Sequence, residues 1–116
     1  MVAYPDLTDA ELDRLFRALA DATRRDIIAR VLEGEPASIS VLATRYDMSF
    51  AAVQKHVAVL EGAGLVLKRR RGRERIVQGN PERLAQARVL LSRLEDLWRS
   101  RFSQIDALFT DTDPRE

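Results

Sequence analysis

The sequence predicts a mainly α-helical fold of the winged helix-turn-helix class, with four helices, a β-hairpin wing and a long C-terminal helix. Apolar residues recur at helical spacing in four segments before residue 62. The period then changes to the alternation of strands over residues 65–79, around an Arg71-Gly72-Arg73 turn. No glycine or proline interrupts the chain between Pro81 and Phe109, which predicts a helix of about 45 Å at 1.5 Å per residue.

Capping side chains mark the starts of the first two helices. Thr8, followed three residues later by Glu11, is the pattern of a capping box and predicts the first helix. Asp21 predicts the start of the second helix, and Gly34 is its stop signal.

The third and fourth helices form the predicted helix-turn-helix. Residues 35–37 are typical of a turn, and Ser38 opens a short third helix after it. Three or four residues then lead to Ser49, which caps a fourth helix extending to roughly Glu61. The hairpin that follows makes this unit a winged helix-turn-helix.

The chain of 116 residues has the length of a single domain, residues 1–116. Within it, the winged helix-turn-helix core spans about 19–80. Helices of about 8–19 and 81–109 flank this core.

Composition excludes several kinds of site. The sequence has no cysteine and a single histidine, His56, so neither a thiolate zinc site nor a cysteine nucleophile can form. No catalytic set of residues stands out, and we expect no enzyme activity, no cofactor and no metal site. No apolar run is long enough to cross a membrane, and the N-terminus lacks the features of a signal peptide. These observations predict a cytoplasmic protein.

Positive charge is concentrated in one segment of a chain whose net charge is only +1. Residues 45–75 contain eight lysines and arginines against three acids, and six of the eight lie within residues 68–75. Such a segment is the electrostatic pattern of a site for a polyanion. The alternative is a solvated, charged loop.

The fourth helix has two distinct faces at 100° per residue. Val53, Val57 and Leu60 fall within about 60° of one another and are predicted to face the core. The opposite face is small and polar, and no carboxylate occurs between Asp47 and Glu61. The residues of this face are Ala51, Gln54, Lys55 and Ala58.

The residue types of this helix suit the major groove of DNA. Gln54 can pair with adenine, Lys55 can reach guanine or a phosphate, and Ala51 can touch a thymine methyl group. Ser49 and the free amide groups at the helix start can bind a phosphate. The alternative for Gln54 and Lys55 is that they are ordinary surface residues.

His56 and the wing complete the predicted DNA-binding set. His56 lies about 60° from the core axis of its helix, so it either packs at the boundary of the core or contacts nucleic acid. Arg71, Gly72 and Arg73 at the wing tip, with Arg69 nearby, can enter a minor groove or grip the DNA backbone. Alternatively, the arginines protect an edge hairpin from aggregation.

The last helix carries more apolar surface than a core of this size can cover. Its stripe follows a 3-4 spacing that is broken at Arg101, and a second subunit is its natural cover. The alternative is a helix folded back on its own domain. The predicted dimer-interface residues of this helix are Leu91, Leu94, Trp98 and Ile105.

Four motifs together resemble the ArsR (SmtB/ArsR) family of bacterial transcriptional repressors, over about residues 16–84. They are Leu19-Ala20-Asp21-Ala22-Thr23-Arg24-Arg25, Lys55-His56-Val57-x-x-Leu60, Gly64-Leu65-Val66 and Arg71-Gly72-Arg73. The resemblance implies a homodimer that binds an operator through paired winged helices. It also implies that the first and last helices, about 8–19 and 81–109, form the dimer interface, with Leu12, Leu15 and Phe16 on the first helix. The metal sensors of that family carry cysteines in the third helix or Asp and His ligands in the last. Here Ser38–Ala43 has no cysteine and the last helix no histidine, which departs from both patterns.

The prediction is a sequence-specific DNA-binding regulator, a homodimeric repressor that uses helix 49–61 and wing 65–79. Its partners are double-stranded DNA, a second copy and an unidentified small-molecule inducer. The alternative is a winged-helix module for protein–protein interaction, which would carry an apolar or acidic face on the fourth helix. RNA is disfavoured because the basic segment lacks aromatic residues for stacking.

Overall fold

A computed structural model describes residues 7–34 and 36–111. Glu35, within the predicted turn, lies outside the described residues. The order of elements confirms the predicted winged helix-turn-helix. The elements are α1 (Asp9–Leu19), α2 (Ala22–Glu33), β1 (Ala37–Ser38), α3 (Ile39–Ala43), α4 (Phe50–Gly62), β2 (Val66–Arg71), β3 (Glu74–Gly79) and α5 (Pro81–Asp111).

The predicted capping residues begin the first four helices. The Thr8 hydroxyl accepts from the Glu11 amide at 3.1 Å, and the Glu11 carboxylate accepts from the Thr8 amide at 2.9 Å, completing the capping box. Asp21 accepts from the Arg24 amide at 3.0 Å. Ser38 and Ser49 accept from the amides three residues later, each at 3.1 Å. These short-range bonds supply partners to amides that have none within the helix.

The sheet has three antiparallel strands in the order β1-β3-β2, not the two of a simple hairpin. The prediction that residues 35–37 form only a turn was wrong for Ala37, which pairs with Val77, while Ser38 pairs with Ile76. A strand of two residues is too short to show an alternating pattern, and its pairing depends on a segment 40 positions away. Ser38 therefore ends β1 and caps α3 at once.

A Schellman motif joins α4 to the wing. The Leu65 amide donates to the Leu60 carbonyl at 3.0 Å, and the Gly64 amide donates to the Glu61 carbonyl at 2.9 Å. Gly64 has φ +77°, the left-handed conformation that this motif requires. The Arg83 guanidinium of α5 also lies over Gly64, where a Cβ would come within 2.6 Å of its Nε. Any other residue here would push the Arg83 guanidinium aside and hold a left-handed φ that L side chains rarely adopt.

The wing turns through two residues, Gly72 and Arg73, because Arg71 still pairs with Glu74 across the strands. The predicted three-residue turn is thus one residue shorter. Gly72 has φ +64° and Arg73 has a negative φ, which is the pattern of a type II′ turn. This turn matches the right-handed twist of the strands and fixes their register.

The core lies where α1, α2, α4 and the sheet meet, and it includes all three predicted core residues of α4. Leu15 is fully buried within it. The prediction that Leu15 contacts a partner subunit was therefore wrong, since its side chain is already covered by its own protomer. The other fully buried large side chains are Ile27, Leu42, Val53, Val57, Leu60, Leu65, Val66 and Val77.

Only the first part of α5 packs on this core. Ala87 is buried and Leu84 is partly buried, whereas every described side chain from Leu91 onward is exposed. The helix has 31 residues, about 46 Å at 1.5 Å per residue, and the molecule measures 74 Å along its longest axis. None of the described helices is long and apolar enough to cross a membrane.

Candidate nucleic-acid interface

Helix α4 separates its residues into the two predicted faces. Val53, Val57 and Leu60 are completely buried. Ala51, Gln54, Lys55 and Ala58 are exposed. The exposed face therefore carries one positive charge and small side chains, which permit close approach of a charged surface.

The Ser49 hydroxyl is an acceptor within α4, where it caps the Ala52 amide. Ser49 is exposed, so its hydroxyl proton can still be donated outward. The partial positive charge of the helix start adds to this donor.

The turn between α3 and α4 is braced against α2 by three side chains. The Tyr46 hydroxyl donates to Asp26 Oδ2 at 2.6 Å, and Arg30 Nε donates to the same oxygen at 2.8 Å. The bonds from Tyr46 and Arg30 lower the pKa of Asp26. Burial, followed by the Asp26 bond, raises the pKa of Tyr46 to about 12. The phenol thus stays a donor at neutral pH and helps to hold α4 in place.

His56 is tied to its own protomer. Its side chain is 23% exposed, and Nδ1 lies 3.3 Å from Arg24 Nη1 and 3.9 Å from Asp21 Oδ2. The structure therefore places His56 at the boundary of the core, and its contact with nucleic acid stays a prediction.

Arg24 connects this histidine to the C-terminal end of α1. Its Nε donates to the Ala18 carbonyl at 2.7 Å, and Nη2 donates to the Arg17 carbonyl at 3.0 Å. Sequence reasoning did not single out Arg24 as a site residue. The one available signal was its position in the motif shared with the ArsR family, because its contact with His56 spans 32 positions.

The register of the wing assigns its basic residues to two faces. Lys68 lies opposite Val77, and Arg70 opposite Arg75, on the face that Val66 and Val77 bury against the core. Arg69 and Arg71 lie on the other face, with Ile76 and Glu74 as their cross-strand partners.

The Arg70–Arg75 pair was missed by the sequence prediction. Like charges directly opposite each other destabilise a sheet, and neither arginine has an ion-pair partner within the part of the chain that is described. Lys68, in contrast, is neutralised by Glu61 at 3.1 Å. An open cleft of about 250 Å³ lies among Glu61, Lys68, Arg69, Arg70 and Arg75. A two-residue turn, had it been predicted, would have placed the two arginines opposite each other.

The predicted dimer surface is apolar and uncovered in the protomer. Trp98 is 65% exposed, and its ring meets Phe102 edge to face with 5.6 Å between centroids. Leu91, Leu94 and Ile105 are 50–52% exposed. On α1, Phe16 is exposed and Leu12 is half-buried beside α5. Whether a second subunit covers this surface remains a prediction.

Comparison with known proteins places this geometry in a family. A model described as "Helix-turn-helix domain" matches residues 19–69. The HTH-type transcriptional regulator Rv2034 of Mycobacterium tuberculosis is 42% identical over 81 residues, covering 70% of this chain and 75% of that protein. An ArsR-like transcriptional regulator from Rhodococcus sp. RHA1 superimposes with a TM-score of 0.75 at 33% identity, covering 85% of this chain and 92% of that one. The chain belongs to the ArsR family.

A further relative, the arsenical resistance operon repressor of Escherichia coli, is 28% identical over 95 residues, covering 82% of this chain and 79% of that protein. As an ArsR-family winged helix-turn-helix protein, the chain is a DNA-binding transcriptional regulator. Unlike the cysteine-bearing pattern of metal sensors, the described residues contain no group of three or more His, Cys, Asp or Glu that could hold a metal ion.

Proposed function

We propose that the protein is a homodimeric repressor that inserts α4 into the major groove of an operator, with the wing beside it. One observation carries this proposal. The exposed face of α4 has no carboxylate before Glu61 in the last turn, where Glu61 pairs with Lys68 at 3.1 Å, and the basic wing follows the helix directly. A face without carboxylates over the first turns of a helix suits contact with the phosphate-lined walls of a groove.

In the proposed complex, some exposed side chains of α4 contact bases and others contact the DNA backbone. Gln54 reads adenine, and Ala51 leaves room for a thymine methyl group. Lys55 and the exposed hydroxyl of Ser49 contact guanine or the backbone. These roles follow from exposure and chemistry, since all four side chains lie on the surface.

The wing supplies contacts that do not depend on sequence. Gly72 and Arg73 form the turn at its tip, and Arg71 belongs to the last cross-strand pair before the turn. All three residues are exposed. Arg69 lies on the same face as Arg71. Arginines at the tip of a narrow ribbon suit a minor groove or the phosphates that border it.

A second copy completes the operator-binding unit. The exposed stripe of α5 needs an apolar cover, and one winged helix contacts only a few base pairs. Two recognition helices about 34 Å apart would meet successive major grooves of a palindromic site. Repression, rather than activation, is supported by the similarity to the Escherichia coli repressor.

A small-molecule inducer is part of the proposal. A cleft of about 220 Å³ lies between α1 and α5, where apolar side chains such as Leu12 and Val89 meet the charged residues Asp9 and Arg93. A ligand there would touch both proposed dimerisation helices. Metabolites that lower operator affinity in the wild type, but not after Val89→Trp, would locate the inducer in this cleft.

An electrophoretic shift tests the main proposal. The probe is the DNA upstream of the protein's own coding sequence, with a shuffled DNA of equal length and a matched RNA as controls. We expect tighter binding of the upstream DNA, by at least about tenfold at physiological salt. Equal binding of all three, or none, would contradict an operator-binding function. A reporter driven by the same DNA should lose expression when the protein is present.

A further inference from the structure

The contact between Arg24 and His56 defines the state of the imidazole. Arg24 Nη1 lies 3.3 Å from His56 Nδ1. A guanidinium group has only donors, so Nδ1 must be the acceptor in this bond. The proton of the neutral ring then resides on Nε2.

The rest of the Arg24 side chain is held so that this contact persists. Its Nε and Nη2 donate to the Ala18 and Arg17 carbonyls at the end of α1. The same helix boundary also receives the Arg25 side chain, whose Nη1 donates to the Leu19 carbonyl at 2.7 Å. Within the described part of the protomer Arg25 does not bond to His56, so it is a natural control.

The protonated side of the ring is left without a partner in the described part of the protomer. His56 Nε2 has no hydrogen bond, yet it is not among the fully buried, unsatisfied polar atoms. It therefore reaches solvent. At 100° and 1.5 Å per residue, His56 and Ser49 lie about 20° apart around α4 and about 10 Å apart along it. Two outward donors thus lie on the flank of α4 between its buried face and its exposed face.

We propose that Arg24 is a positioning residue that orients His56 as an Nε2–H donor to a DNA phosphate on this flank of α4. This inference rests on the proposed function, because it requires α4 to lie in the major groove. Arg24 itself does not touch DNA in this arrangement; it acts through the tautomer and the orientation of the ring. By the same bonds, the end of α1 is connected to a DNA-contacting side chain.

The first experiment needs no DNA. Because His56 is the only histidine of the sequence, a long-range ¹H–¹⁵N spectrum of the tag-free ¹⁵N-labelled protein shows a single imidazole. We expect a protonated Nε2 and an unprotonated Nδ1 in the wild type and in Arg25→Met. In Arg24→Met the two tautomers should mix. A ring protonated on Nδ1 in the wild type would overturn the proposal.

The second experiment measures operator affinity. A side-chain amide in glutamine can replace Nε2–H, whereas asparagine is too short and resembles Nδ1 instead. We expect His56→Asn and His56→Ala to bind about tenfold more weakly, the loss of one hydrogen bond to a charged group. His56→Gln should stay within about threefold of the wild type. Equal losses in Gln and Asn variants, or no loss in either, would refute the donor role.

Arg24 variants test positioning apart from folding. Arg24→Met should weaken operator binding about as much as His56→Asn, and combining the two should add little further loss. Arg25→Met loses a similar bond to α1 and should bind normally. Full additivity of Arg24→Met and His56→Asn would show that Arg24 acts by another route. Failure of the wild type to bind upstream DNA would instead refute the proposed function and leave the tautomer result standing.

Discussion

Helices α4 and α5 both bury one face in the same protomer, but they leave opposite chemistry in solvent. The outer face of α4 presents small, polar and positively charged side chains, such as Gln54 and Lys55. The outer part of α5 presents leucines and aromatic rings, including Trp98 and Phe102. A polar cationic face can stay hydrated until a polyanion arrives, whereas a wide apolar face is unfavourable in water until another apolar surface covers it. The two faces therefore call for two different partners.

The comparison also explains why overall composition says little about function. The net charge of +1 averages a basic segment at residues 45–75 with acids placed elsewhere. Function depends on where charge is absent as much as on where it is present. The absence of a carboxylate from α4 before Glu61 carries more information than the total number of arginines.

The largest effect is expected from removing the aromatic centre of the α5 face. Trp98→Ala should shift the protein toward monomer, because truncating a large aromatic side chain at an interface commonly costs about 2 kcal/mol or more. Specific DNA binding should fall with it, since one recognition helix cannot span two half-sites. Sedimentation and operator titration measure both. Arg99→Ala is the control, because Arg99 is exposed on the same helix and bonds only to Glu95 there at 3.2 Å. If the Trp98→Ala variant forms a normal dimer, the assignment of α5 to the dimer interface is wrong.

A smaller effect, with a different signature, is expected on the α4 face. Gln54→Ala should cost roughly 1–3 kcal/mol on the operator and flatten the preference at one base position. The dimer should be unaffected. Arg73→Ala, in contrast, should weaken all DNA sequences about equally. Competition binding against single-base operator variants distinguishes the two, and an unchanged base preference in the Gln54 variant would show that α4 is placed wrongly.

The Arg70–Arg75 pair should respond in opposite directions to two measurements. Arg75→Gln removes a like-charge pair, so the free protein should become more stable by about 0.2–1 kcal/mol in urea unfolding. If the pair faces a phosphate, DNA affinity should fall and the slope of log affinity against log salt should decrease by about 0.9. Glu74→Gln on the opposite face is the control for a general change in charge. A gain in stability without any change in salt slope would show that the pair does not meet DNA.

The smallest effect is expected at the braced turn, which belongs to neither face. The Tyr46 bond lowers the pKa of Asp26, so this contact stabilises the fold above the ordinary carboxyl pKa of 3.8 and is lost as pH falls through the lower folded value. Tyr46→Phe should therefore be slightly less stable at neutral pH, and its difference from the wild type should narrow below about pH 4. Urea titrations from pH 3 to 7 measure this. If the difference in unfolding free energy between the wild type and the variant grows as the pH falls, the Tyr46 bond does not lower the pKa of Asp26.

The parts of the fold that depend on neighbouring residues were predictable. Thr8, Asp21, Ser38 and Ser49 each bond to an amide three positions away, and the sequence shows such pairs directly. Periodicity likewise placed Val57 in the core. These signals are local, so no tertiary information was needed.

Contacts between distant residues were not predictable. β1 forms because it can pair with the free edge of β3. The Arg24–His56 bond joins α2 to α4 through two residues that are 32 positions apart in the sequence. Leu15 shows a second limit. Helical spacing identifies an apolar face, but it does not tell which of its members the protomer covers and which it leaves to a partner.

The pairing of β1 with β3 makes the base of the wing stiffer than its tip. Its base is clamped, because Ser38 pairs with Ile76 and also caps α3. The overhang is the two-stranded ribbon beyond that point, residues 70–75, which no third strand stiffens. Bending is therefore concentrated in residues 70–75, so the tip can move while the distance from the wing base to the helix-turn-helix stays constant. If the tip contacts DNA as proposed, it can follow grooves of different width. Extending β1 so that it pairs with more of β3 would shorten the unsupported two-stranded ribbon. In the proposed complex, the tip would then fit a narrower range of DNA shapes.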